Sequence, residues 1–143
     1  MFYLDTSVLI ALVTAEPRSA ALRGWAEAVD DVFVTSDWSL TEVASGLSIK
    51  QRTGALTAGE RAVVERALAR FLAENVEVVG VHRVDYRTAA RLSAQPTPPL
   101  RAGDALHLAV AARHGAVLHT LDDQQAAGAR AHDIGAVVPV PRI

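Results

Sequence analysis

Five short apolar runs, at residues 2–4, 32–34, 76–81, 116–120 and 136–140, alternate with longer segments whose apolar residues recur at helical spacing. Strands this short and this apolar, each separated from the next by a helix, bury both faces, which calls for a mostly parallel sheet of about five strands covered on each side. The helical period predicts helices over 7–13, 20–29, 40–51, 85–94, 105–112 and 124–132. A further helix opens at Thr57-Ala58-Gly59-Glu60, which has the spacing of a capping box, and runs through Leu72. Pro17, Thr53-Gly54 and Gly115 act as breaks or stops, and Pro96-Thr97-Pro98-Pro99 reads as a loop inside the domain.

Length and composition narrow the classes. With 143 residues, half of them apolar, one compact domain over 1–143 has enough core, whereas two would each be near the lower size limit. No apolar run approaches the roughly 18 residues of a membrane span, and Asp5 arrives too early for a signal-peptide core, so the expected location is cytoplasmic, with no membrane partner. The absence of cysteine excludes disulfides, zinc–thiolate sites and thiol nucleophiles. The net charge of −2 argues against holding nucleic acid by bulk charge. Thirteen of the 14 basic residues are arginine, however, so a local phosphate-gripping patch remains open.

Ligands of open parallel sheets bind beyond the carboxyl ends of the strands. Asp5 directly follows the first strand, and Asp122 closely follows the fourth. Glu42 lies in the helix after the second strand, and Asp104 near the start of the helix leading into the fourth. If the first and fourth strands are neighbours, all four carboxylates can face one cleft. Two carboxylates about 4 Å apart repel by roughly 4 kcal/mol at an effective dielectric near 20, so such a cluster needs protons or a cation. All-oxygen ligation favours magnesium or manganese, which activates water and neutralises phosphoryl charge.

The motifs Leu4-Asp5-Thr6-Ser7, Thr41-Glu42-Val43, Asp104-Ala105-Leu106-His107-Leu108-Ala109 and Thr120-Leu121-Asp122 resemble, in order and spacing, those of the PIN-domain family. The similarity is greatest to the VapC toxin ribonucleases of bacterial toxin–antitoxin pairs. That resemblance implies a three-layer α/β/α fold and magnesium- or manganese-dependent endoribonuclease activity. It further implies a homodimer and a small VapB-like antitoxin partner. By motif position Asp5, Glu42 and Asp104 would be the principal metal ligands, Asp122 a fourth acid acting through water, and Ser7 and Thr120 hydroxyl supports.

Each acid also has an ordinary structural use. Asp5 and Asp104 can cap helices, Ser39-Leu40-Thr41-Glu42 fits a capping box, and Asp122 shares a polar turn with its rival Asp123. The five histidines show no ligand spacing, so His107 reads as polar surface or satisfied core, one turn beyond Asp104. Arg61, Arg66 and Arg70, intermixed with Glu60 and Glu65, read as a solvated helix face, and Trp25 and Trp38 as packing or interface residues. An aspartyl phosphotransferase is disfavoured because Ser7 stands where a haloacid-dehalogenase motif needs a second Asp, and no Gly-x-x-x-x-Gly-Lys loop exists. A receiver domain expects an early acidic pair and a late lysine, yet Lys50 is the only lysine. The non-enzymatic alternative is a catalytically silent PIN-like module that binds RNA or a protein partner.

Overall fold

The structure, a computed structural model, describes residues 1–141; positions 142 and 143 of the expected domain lie outside the described residues. The elements run β1 (Phe2–Leu4), α1 (Thr6–Val13), α2 (Ser19–Ala28), β2 (Phe33–Ser36), α3 (Asp37–Arg52), α4 (Ala58–Asn75), β3 (Val76–Val79), α5 (Arg83–Ser93), α6 (Ala102–Arg113), β4 (Val117–His119), α7 (Asp123–Ala131) and β5 (Ala136–Val137). The strands form one parallel sheet in the order β3-β2-β1-β4-β5. The first strand is therefore central, and its pairing with β4 supplies the adjacency on which a shared acidic cleft depends.

Strand alternation sorts the core into two layers. Leu4 and Phe33 point to one face, where they meet Val8, Leu9 and Leu12 of α1, Leu22 of α2, Val43 and Leu47 of α3 and Val64 and Leu68 of α4. Tyr3, Val34 and Leu118 point to the other, packed against Leu108, Val110 and Ala111 of α6 and Ala126 and Ala129 of α7. Helices on both faces of the sheet give the three-layer α/β/α architecture. Trp25 belongs to the first layer, stacked on Phe2 and on His119, so it is a packing residue. No helix among the described residues is long and apolar enough to cross a membrane.

Local signals held well. Thr57 caps α4 in a complete capping box with Glu60. Gly115, at φ +62°, lets α6 end with Gly115 N–H bonded to Ala112 O and Ala116 N–H to Ala111 O, a turn a side chain would strain. Several boundaries moved: β3 ends at Val79 instead of residue 81, β5 at Val137 instead of residue 140, α5 starts at Arg83 instead of residue 85, and two further helices start earlier. The helix expected over 40–51 begins at Asp37, directly after β2, and the one expected over 105–112 begins at Ala102. Both shifts bear on the acids.

Candidate active site

The carboxyl ends of β1 and β4 lie side by side. The Asp5 N–H bonds to the His119 carbonyl at 3.1 Å, so the backbone carrying Asp5 is fixed by the end of β4. Asp5 is 3% exposed and caps α1: its Oδ1 accepts from the Val8 N–H at 3.0 Å and from the Ser7 hydroxyl at 2.6 Å. Its capping role is thus real, and it coexists with a position at the joined ends of β1 and β4. Burial pushes the Asp5 carboxyl above the usual range, offset in part by His107, Ser7, Thr120 and the Val8 N–H. Ser7 also accepts from the Leu121 N–H at 2.9 Å and stands 3.4 Å from Thr120 Oγ1, which stitches the ends of β1 and β4 together. Thr120 Oγ1 in turn accepts from the Asp122 N–H at 3.0 Å.

Glu42 does not serve as a capping-box partner of Ser39. Because α3 starts at Asp37, Glu42 is already in the second turn, and its Oε1 bonds across the sheet end to Thr6 Oγ1 at 2.7 Å and His107 Nε2 at 2.5 Å. Burial works against its charge, but these two partners and the imidazole's electrostatics hold it below the usual glutamate range.

Asp104 is inside the first turn of α6 rather than at its cap, which is Arg101. It is half-buried. Its carboxyl is raised, first by burial and then by the Asp122 charge, with Glu42 adding to the rise and His107 and Arg101 opposing it. Asp122, whose charge raises Asp104, caps α7 through Gln124 N–H at 2.8 Å and Gln125 N–H at 3.2 Å. The cleft wall beside Asp104 is completed by Arg101, Gln124, Gln125 and the loop residues Pro99 and Leu100.

Asp104 is close enough to Asp122 and Glu42 to be shifted by their charges, whereas Asp5 and Glu42 belong to separate hydrogen-bonded groups, Asp5–Ser7–Thr120 and Glu42–Thr6–His107. Among the described residues, no three acidic or histidine side chains are placed to enclose an ion. The donor set is nonetheless hard, made of carboxylates and hydroxyls without thiolate; burial raises both Asp5 and Asp104, and at Asp104 the charges of Asp122 and Glu42 add to it.

Sequence reasoning gave too little weight to His107 and missed Tyr3 and Thr6. His107 is 2% exposed, with Nδ1 2.9 Å from the Tyr3 hydroxyl and Nε2 on Glu42. The available signal was spacing: His107 follows Asp104 by three, so both occupy one face of α6. Burial pushes the Tyr3 phenol up to about 12. Of the three arginines on α4, Arg61 pairs with Glu65 and Arg70 with Glu74, each at i,i+4, as expected of a solvated face.

Comparison with known proteins bears on the family and the fold. The PIN domain profile matches residues 2–131. Ribonuclease VapC35 of Mycobacterium tuberculosis (strain CDC 1551 / Oshkosh) is 34% identical over 145 residues, covering 97% of each chain. The crystal structure of Mycobacterium tuberculosis VapC20, described as a sarcin–ricin loop cleaving toxin, superposes with a TM-score of 0.68 at 25% identity, covering 90% of this chain and 95% of that one. VapBC2 of Rickettsia felis, solved on a promoter DNA fragment, shares the fold with a TM-score of 0.69 at 18% identity, over 96% of this chain and 98% of that one. Central β1, acids gathered at its carboxyl end and a profile match over most of the length all lead to one assignment: the chain belongs to the PIN-domain family.

Proposed function

We propose that this chain, acting as one domain over residues 1–143, is a divalent-metal-dependent endoribonuclease and the toxin of a VapBC-type pair. The observation that carries the reading is the β1–β4 pairing, which brings Asp5 and Asp122 to one sheet end while Asp104 senses the charges of both Asp122 and Glu42. Asp5, Glu42 and Asp104 would hold the ion, Asp122 would act from further out through water, and Ser7 and Thr120 would orient Asp5. A bound magnesium or manganese ion supplies activated water and neutralises charge on the phosphoryl and leaving-group oxygens. The chain's own contribution is to fix the acids on strand and helix ends, where hydroxyls and amides restrict their rotation.

The 34% identity to a protein named a ribonuclease supports the RNA substrate. Structural neighbours solved as toxin–antitoxin complexes support a VapB-like antitoxin partner. A homodimer and a cytoplasmic location complete the reading; sedimentation of the purified chain tests the first. The central test is Asp5→Asn. Asparagine caps a helix as well as aspartate does, so the fold should persist. RNA cleavage, present with magnesium or manganese and stopped by chelator, should disappear. An Asp5→Asn chain as active as the parent would sink the reading, and a parent that binds RNA without metal and never cuts it would favour the silent binding module.

A further inference from the structure

We propose that Tyr3 and His107 are positioning residues for Glu42: together with Thr6 they commit its Oε1 and turn its Oε2 toward the first turn of α6, where Asp104 lies. This rests on the metal-site reading above. His107 Nε2 and Thr6 Oγ1 converge on the same carboxylate oxygen, at 2.5 and 2.7 Å. The other oxygen, Oε2, faces Gly103, where even an added Cβ would stand only 3.1 Å away. A glycine beside Asp104 therefore leaves room for that oxygen. One oxygen of Glu42 is used up by the protein, and the other faces Gly103, next to Asp104.

Proton counting gives the relay a direction. A carboxylate only accepts, so Nε2 carries the hydrogen, and in the neutral tautomer on which this proposal stands Nδ1 then accepts. The group 2.9 Å from Nδ1 is the Tyr3 hydroxyl, which donates. Ser36 Oγ at 2.7 Å and Ser39 Oγ at 3.4 Å can donate to the phenol oxygen in return. Tyr3 and Asp5 are two residues apart and share one side of the extended chain, so the phenol sits one layer beneath the acids. The whole relay is buried: Tyr3, Ser36 and Ser39 are each fully covered. The imidazole edge cannot rotate without breaking the Tyr3 bond, and Glu42 inherits that fixity.

Two measurements decide. In the metal-free chain with 15N-labelled histidine, His107 should show the Nε2–H tautomer with a hydrogen-bonded Nδ1, and Tyr3→Phe should move the Nδ1 resonance. An Nδ1–H ring overturns the proposal. Mn2+ titration followed by electron paramagnetic resonance should show about 10–100-fold weaker binding for His107→Leu. His107→Gln, whose amide nitrogen can still donate to Oε1, should recover most of the loss. Equal losses in the Leu and Gln variants would mean packing alone and would overturn it. If His107→Leu fails to fold, Thr6→Val and Tyr3→Phe carry the same test, since each removes one donor and keeps its shape; unchanged Mn2+ affinity in both overturns the inference. A parent that binds no Mn2+ overturns the metal reading and this proposal together, whereas a parent that binds it while His107→Leu is unimpaired overturns this proposal alone.

Discussion

The two ends of α6 treat buried negative charge in opposite ways. At the last turn, Arg113 grips Asp85 of α5 with a fork, Nε to Oδ1 at 2.7 Å and Nη2 to Oδ2 at 2.9 Å, and also reaches the Gly80 carbonyl at 2.9 Å. The His82 N–H adds a bond to Asp85 at 2.8 Å. At the first turn, Asp104 lies near other acids, and its carboxyl is raised rather than lowered. An acid that ties two helices together is given a guanidinium. Under the proposed function, an acid meant for an incoming cation is instead set beside other acids, and the fold bears that cost.

That contrast can be broken most directly by neutralising each acid. Asp104→Asn should abolish cleavage, a loss of more than about a hundredfold, since a ligand matters more than the groups supporting it. Its resistance to urea should stay level or rise, because a repelled charge is removed. Asp85→Asn should do the reverse, costing about 2 kcal/mol in urea unfolding by disrupting a buried charged pair, with cleavage by the folded fraction preserved. An Asp104→Asn chain that unfolds easily, or an Asp85→Asn chain as stable as the parent, would erase the distinction.

Acidity sharpens it. The burial of Asp85 is outweighed by Arg113 and the His82 N–H, so its folded pKa lies below that of an ordinary aspartate. Its contribution to stability is complete above about pH 4 and is lost as pH falls through the folded pKa. Asp104, raised by burial and by Asp122, behaves oppositely: it costs stability above its folded pKa, and the cost fades as pH falls through that value toward the ordinary one. The urea-midpoint advantage of Asp104→Asn over the parent should therefore be present at pH 7 and gone near pH 4. A difference independent of pH would contradict the assignment.

The smallest expected effect is at Gly103. An added methyl would stand 3.1 Å from Glu42 Oε2 and 3.2 Å from Trp38 Cζ2, while alanine favours the helix by up to about 1 kcal/mol. Gly103→Ala should thus leave stability nearly unchanged and lower cleavage severalfold by displacing Glu42. Full activity would show that Glu42 has slack.

Most of the elements were legible in the sequence because they rest on local periodicity and punctuation, as at Thr57–Glu60 and Gly115. Boundaries failed where tertiary contacts extended a helix: Ser39-Leu40-Thr41-Glu42 has the letters of a cap, but the preceding strand ends directly in the helix and makes them interior. The acids were legible as strand-end and helix-start residues, whereas their partners were not. His107 meets Glu42 across 65 residues of chain, and Arg113 meets Asp85 across 28, and no local pattern encodes which buried acid receives which partner. Pairing of β1 with β4 belongs to the same class, since topology rather than spacing decides it.

Central placement of β1 has a consequence for synthesis. The strand that leads into Asp5 leaves the ribosome well before its neighbour β4, which begins only at Val117. A nascent or prematurely terminated chain can form helices and the β1–β2 pair, but it cannot gather Asp5, Asp104 and Asp122. Closing so distant a contact is entropically expensive and comes late in folding. Under the proposed function, a ribosome making this protein would be shielded from it until β4 and Asp122 had been translated.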